Sequence, residues 1–263
     1  MPPTLGPATD SVTGPTRLDL LAAQAWPALE TVEVDGWLLR LSAGVTQRAN
    51  SVLPLKAPAD AGAAVEQVEA TYARHGLPAT FQVGPASQPQ VLDQLLDERG
   101  YAAGSPTLVQ AAGVETLLAG LRPPAHRVDL ADAPDEGWMD CWWAVDGRGD
   151  AAARAVARRI LTGAPAVYAS VRQAGATLAV ARLALVEGTT WAGLYCVAVR
   201  PAARRRGCTS AVLAALAEAA RDAGRDTVWL QVLEANAVAR AGYARAGFAD
   251  VSRYEYRTKE RRA

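Results

Sequence analysis

Histidine, lysine and cysteine are scarce in this chain of 263 residues. Its two histidines, His75 and His126, stand far apart and have no neighbours at ligand spacing. Neither a histidine-built metal centre nor a nucleophile–histidine pair is therefore indicated. The three cysteines, Cys141, Cys196 and Cys208, show no metal spacing and leave an odd thiol in any disulfide scheme, so a reducing, cytoplasmic setting is expected. Net charge is also lacking, with 27 basic residues against 27 acidic ones. That balance argues against a general nucleic-acid binder and against a polybasic membrane anchor. No apolar run approaches the length of a membrane span. Residues 1–16, rich in Pro, Gly, Thr and Ser, lack the basic start and apolar block of a signal peptide and are expected to form a loose tail.

What is present is a hydrophobic half of the composition, enough for a sizeable core, and a chain long enough for two medium domains. The most informative stretch is 194–216, LYCVAVRPAARRRGCTSAVLAAL. It reads as a β-branched strand over 195–199, a turn at Pro201, the arginines Arg204, Arg205 and Arg206, then Gly207 and an amphipathic helix. A strand that passes through a glycine turn into a helix start leaves N–H groups unpaired. With the positive end of the helix dipole, these suit a phosphate or pyrophosphate. The bland reading of this stretch alone is a solvated basic turn.

Downstream, 227–232 reads as a buried strand, and Asn236 is placed to cap a helix that holds Ala239 and Tyr243 and ends at Gly247 and Phe248. Alone, Asn236 is a plain helix cap and Tyr243 a core residue. Together, the ordered segments Val197-x-Val199-x-Pro201, Arg204-x-x-Gly207-x-Thr209 and Asn236-x-x-Ala239-x-x-x-Tyr243-x-x-x-Gly247-Phe248 resemble the cofactor signature of GNAT-type N-acetyltransferases. Thr209 departs from the pattern, which has a small residue there; its Cβ would crowd the pyrophosphate, while its hydroxyl would donate to it or cap the helix.

The resemblance implies an α/β (α+β) fold, a mixed, mainly antiparallel sheet flanked by helices, and acetyl-CoA as cosubstrate with no metal. It implies that the Val197 N–H holds the thioester oxygen and the Val199 N–H the pantetheine arm, with Asn236 steadying that arm. The N–H groups of Arg205, Arg206, Gly207, Cys208, Thr209 and Ser210, next to Arg204, would hold the pyrophosphate, and Tyr243 would protonate the departing thiolate. The acceptor would be a primary amine of a small molecule or peptide. Many relatives carry a base on the strand four residues before the oxyanion position. That position here is Gly193, which leaves the base open and makes a CoA-binding protein without turnover the alternative reading.

The first half has the same order of segments. Residues 76–83, GLPATFQV, parallel 224–232, GRDTVWLQV, with Gln82 matching Gln231; each block is followed by a helix and by an aromatic after glycine, Gly100-Tyr101 or Gly247-Phe248. A degenerate tandem is therefore expected: 17–119 a diverged GNAT-like unit, 120–125 a linker with Pro123 and Pro124, and 126–263 the cofactor-binding unit. Strands are expected at 32–41 (a hairpin about Asp35-Gly36), 49–55, 79–83 and 106–110, and helices at 18–26, 61–74 and 91–98. In the second unit the expected strands are 126–130, 166–171, 177–186 and 191–199, and the expected helices 135–145 and 151–161. At the first unit's phosphate-loop position stands 56–60, KAPAD, with neither arginines nor the glycine pattern, so that half is not expected to bind CoA. Trp37, Arg40, Arg48 and Asn50 either line an acceptor cleft between the units or serve core and interface. The same two readings apply to Trp138, Trp142 and Trp143.

Overall fold

The computed structural model describes residues 14–121 and 125–260. Most of the expected tail and the centre of the expected linker lie outside these residues. The first half runs α1 (Pro15–Ala25), β1 (Glu30–Val34), β2 (Trp37–Leu41), β3 (Val52–Pro54), α2 (Ala61–Arg74), β4 (Ala79–Val83), α3 (Leu92–Glu98), β5 (Ala102–Gly113) and α4 (Val114–Gly120). The second runs β6 (Val128–Ala131), α5 (Glu136–Asp146), α6 (Ala151–Leu161), β7 (Ala166–Gln173), β8 (Ala176–Leu185), β9 (Trp191–Val199), α7 (Cys208–Asp222), β10 (Thr227–Leu233), α8 (Ala237–Arg245) and β11 (Ala249–Lys259).

Local chemistry sets these boundaries. Asp35 and Gly36 both take positive φ, 45° and 86°, and close the β1–β2 hairpin at the Val34–Trp37 pair. Asp60, Asp135 and Asp150 cap α2, α5 and α6 with their carboxylates. The helices α2, α3, α7 and α8 all end alike, with a left-handed glycine (Gly76, Gly100, Gly224, Gly247) and the next N–H donating to the carbonyl five residues back.

This shared ending is one mark of an internal repeat, and sheet topology is another. Each half contains one parallel pair, β3 with β4 at Val52–Phe81 and β9 with β10 from Trp191–Thr227 to Leu194–Leu230. Each places a helix, α2 or α7, between the two strands. The fold is thus a mixed, mostly antiparallel sheet flanked by helices and built from two related units.

The eleven strands among the described residues join one sheet in the order β1-β2-β3-β4-β11-β5-β10-β9-β8-β7-β6. The units exchange their last strands. β5, from the first half, pairs with β10 from Thr107–Leu233 to Gly113–Thr227, and β11, from the second half, pairs with β4 from Ala79–Lys259 to Val83–Glu255. The connection between the halves divides the sequence, while the sheet runs straight across it. Reading 106–110 as a short closing strand understated β5, which spans 12 residues. Neither α4 nor β11 was anticipated.

Three apolar clusters hold the layers. Trp37, Val65, Phe81 and Leu96 pack within the first half, and Leu194, Val212, Leu216, Val228 and Phe248 beneath α7. Between the units, Leu21 and Trp26 of α1 pack with Trp142, Ile160, Tyr195, Trp229 and Tyr254. Each such side chain, fully buried, contributes about 1.5–3 kcal/mol. The first described helix, α1, is therefore anchored on the second half.

Candidate active site

The parallel pairing of β9 with β10 stops at Leu194–Leu230. Beyond it, β10 continues along β5 while β9 stays with β8, so the edge of residues 195–199 that faces β10 carries no paired strand. A bulge accompanies the parting. Val180 pairs with Ala198 and Arg182 with Tyr195, which sets Ala181 against both Cys196 and Val197. Cys196 takes φ 55°, a conformation that costs a non-glycine residue of order 1–3 kcal/mol. Val197 and Val199, assigned the thioester and pantetheine from sequence, lie on this splayed segment.

Gly193 is fixed by its neighbours. A Cβ there would lie 2.6 Å from Tyr195 Cε2 and 2.8 Å from Trp229 Cζ2. Two aromatic rings fill the space in which a carboxylate at that position would have to stand.

After β9 the chain turns at Pro201 and reaches α7 through exposed Arg204, Arg205 and Arg206. Gly207 is the N-cap, with φ 83°, and no side chain caps this helix. The first helical bond is donated by the Ala211 N–H to the Gly207 carbonyl. The N–H groups of Arg205, Arg206, Gly207, Cys208 and Thr209 have no acceptor among the described residues. His126 Nε2 lies 2.7 Å from the Arg206 carbonyl, and Arg206 Nη2 donates to Gln173 Oε1 at 3.2 Å, which tie the loop to the second half. Cys208 points into the core, so only its main chain reaches the loop surface; Thr209 is exposed on the first turn and Ser210 half-buried. The matching helix of the first half differs. At α2 the Asp60 carboxylate accepts from the Ala63 N–H at 3.1 Å, and this negative charge stands where an anion would bind.

Asn236 caps α8, with Oδ1 accepting from the Ala239 N–H at 3.1 Å. This is the plain capping role, and it leaves the amide nitrogen for other partners. Tyr243 packs on the same core cluster as Val197, Val199 and Ala239, with its ring 5.6 Å from that of Phe248. Burial, and then the charge of Asp146, push its hydroxyl up to about 12, so it is protonated at neutral pH. Burial likewise pushes the Cys196 thiol up to about 12; Arg182 and Arg48 oppose this and Asp146 adds to it. A neutral thiol with no histidine beside it is a poor nucleophile. Asp146, the last residue of α5, thus stands within electrostatic reach of both the bulge and Tyr243. The sequence reading missed it; its one signal was its place at the end of the tryptophan-bearing helix, just before Gly147.

The residues expected either at an acceptor cleft or in structural roles divide clearly. Trp37 is fully buried in the first half and donates to the Gln88 carbonyl. Arg40 is buried and donates to Ser51 and to Gln82 Oε1. Asn50 ties down the 42–46 loop through the Ser42 and Gly44 N–H groups and the Val45 and Thr46 carbonyls. Trp138 donates to the Ala169 carbonyl in the core, and Trp143 stacks over Gly147. Arg48 differs, its guanidinium lying 5.4 Å from the ring centres of both Trp26 and Tyr195. Such contacts are worth about 0.5–2 kcal/mol each. Among the described residues no three His, Cys, Asp or Glu side chains group to hold a metal ion, and no helix is long and apolar enough to cross a membrane.

The family model described as "Probable histone acetyltransferase Rv0428c C-terminal" matches residues 16–257. An uncharacterized N-acetyltransferase, YobR, of Bacillus subtilis (strain 168) is 26% identical over 246 residues, covering 92% of this chain and 98% of that protein. A GCN5-related N-acetyltransferase from Kribbella flavida has a similar structure, with a TM-score of 0.68 at 16% identity over 94% of this chain and 96% of the other. A tandem GNAT protein from the clavulanic acid biosynthesis pathway, solved without AcCoA, gives a TM-score of 0.63 at 14% identity over 94% and 89%.

Proposed function

The chain belongs to the Rv0428c C-terminal acetyltransferase family, and from that premise we propose that it moves an acetyl group from acetyl-CoA to a primary amine by direct attack on the thioester. The observation that carries this reading is the uncapped start of α7. Five consecutive N–H groups without acceptors among the described residues, the positive helix end and three arginines form a cradle for a diphosphate directly after the splayed strand.

In this reading the Val199 N–H and the Asn236 amide nitrogen hold the pantetheine arm across the gap between β9 and β10. The Val197 N–H donates to the thioester oxygen as the amine nitrogen adds to the carbonyl carbon and that oxygen turns negative. A fixed donor of this kind is worth about 3–4 kcal/mol. When the carbon–sulfur bond breaks, Tyr243 gives its proton to the leaving sulfur. The amine sheds its own proton to water or to a carboxylate; Asp146 is the acidic group whose charge reaches the site, and it comes from α5 rather than from β9.

A second reading, a CoA-binding protein without turnover, draws on the ring-filled space at Gly193. Steady-state release of free thiol from acetyl-CoA across a panel of amines separates the two. Amine-dependent release supports the transferase. CoA binding with no release from any amine supports the binding protein without turnover.

A further inference from the structure

Arg48 is a cation with no anion beside it among the described residues. No described carboxylate pairs with it and its Nε is buried without a hydrogen-bond partner; the guanidinium faces the phenols of Tyr254, Tyr256 and Tyr195, of which Tyr254 bonds to it. The surroundings repeat the pattern. The Tyr195 hydroxyl and the Trp229 and Trp142 indole nitrogens are buried and unbonded. Tyr195 and Trp229 lie close to each other without a hydrogen bond of normal geometry. A second guanidinium, that of Arg182, stands 6.0 Å from the Trp26 ring and 5.9 Å from that of Tyr195. It is spent, donating to Tyr168 and to the Ala25 and Ala164 carbonyls. Buried polar groups normally find partners, and buried charges normally find opposite charges. A largely buried guanidinium whose described neighbours are phenols and indoles rather than a carboxylate is complementary to an anion.

Its position links it to the chemistry. Tyr195 lies two residues before Val197, on the other side of the bulge, and the charge of Arg48 reaches Cys196 at the bulge. The loop that presents Arg48 is held by the four Asn50 bonds, so the guanidinium is placed in advance rather than recruited. A single guanidinium held against aromatic rings presents a planar fork of donors, which matches a planar monoanion better than a phosphate dianion.

We infer that the acceptor amine carries a carboxylate and that Arg48 binds it beside the reacting centre, with the Tyr195 hydroxyl and the Trp229 indole as further donors. This rests on the acetyltransferase reading and names the substrate class of the same site: an amino acid or another short carboxylate-bearing amine.

The test uses matched probes, glycine and β-alanine against glycinamide and β-alaninamide, with phosphoethanolamine as a third arm. Calorimetric binding is measured without acetyl-CoA, and thiol release with it. The native protein prefers the carboxylates. Arg48→Met loses that preference by about 10–100-fold, mostly in KM, while its thermal stabilisation by CoA persists as proof of folding. Arg48→Lys, which keeps the charge and loses the fork, recovers part of the preference; it also serves as the probe should the Met variant fail to fold. Equal binding of acid and amide by the native protein, an unchanged preference in the Arg48 variants, or a preference for phosphoethanolamine overturns the assignment. Should no amine release thiol, the transferase reading fails on its own, and binding without cofactor still judges Arg48.

Discussion

Asp19 and Tyr243 show how burial tunes single groups in this molecule. The Asp19 carboxyl accepts from Gln82 Nε2, which in turn stands next to Arg40. Burial raises its pKa to about 6, against the opposing pull of Arg40 and Gln82. The folded state therefore holds this proton more tightly than the unfolded chain. The associated stability is complete below about pH 4 and is lost as pH rises through 6. Replacing Asp19 by Asn keeps an acceptor for Gln82 and removes the ionisation. Relative to the native chain, the variant gains stability between pH 4 and 7, by on the order of 2–3 kcal/mol at most, as read from denaturant midpoints across that range; a constant difference would contradict the burial of this carboxyl. For Tyr243, substitution by Phe lowers turnover by about 10²-fold, the low end of general-acid effects because a thiolate leaves readily, with CoA-dependent thermal stabilisation nearly intact. Unchanged turnover would remove the phenol from the chemistry. At this scale the sequence was partly legible. The motif residues stood out through spacing, whereas the surroundings of Arg48 depend on which side chains meet across the units, and the reach of Asp146 on how α5 lies over the sheet of its own unit; no local pattern records either.

At the scale of elements, α2 and α7 hold equivalent places, each between the two strands of a parallel pair, and have opposite starts. One is closed by the Asp60 carboxylate, the other left open at Gly207. The difference was readable in advance, since 56–60 lacks the arginines and the glycine pattern while 204–209 has them. The splay was not readable, because it arises from a bulge and from the loss of a neighbour rather than from the composition of β9. Introducing a negative side chain at the open start, Gly207→Glu, combines charge repulsion with a left-handed φ of 83° that disfavours any Cβ. Stabilisation by CoA in a thermal-shift assay is expected to vanish in that variant; retention would place the diphosphate elsewhere.

Across the whole molecule, the exchange of β5 and β11 makes the two units one structure. Neither half completes its sheet without a strand from the other, and α1 buries Trp26 against Tyr195 and Trp142 of the second half. Heat or denaturant should therefore unfold the chain in a single transition followed alike by fluorescence and circular dichroism; two separated transitions would contradict the interlock. The repeat was legible because the blocks at 76–83 and 224–232 resemble each other. The exchange was not, since strand order is fixed by pairings between residues more than 100 positions apart, such as Val109 with Gln231. The interlock also fixes Arg48 of the first unit against Tyr195 of the second, at the edge of the splay.

The central claim is that main-chain amides at the start of α7 and along the splayed end of β9 grip the cofactor. Titrating CoA into isotope-labelled protein and following backbone amide resonances tests it most directly. The largest shifts should fall on 205–210 and on Val197 and Val199, with those around Asp60 unmoved. Shifts centred on the α2 start, or spread without focus on these amides, would contradict the account.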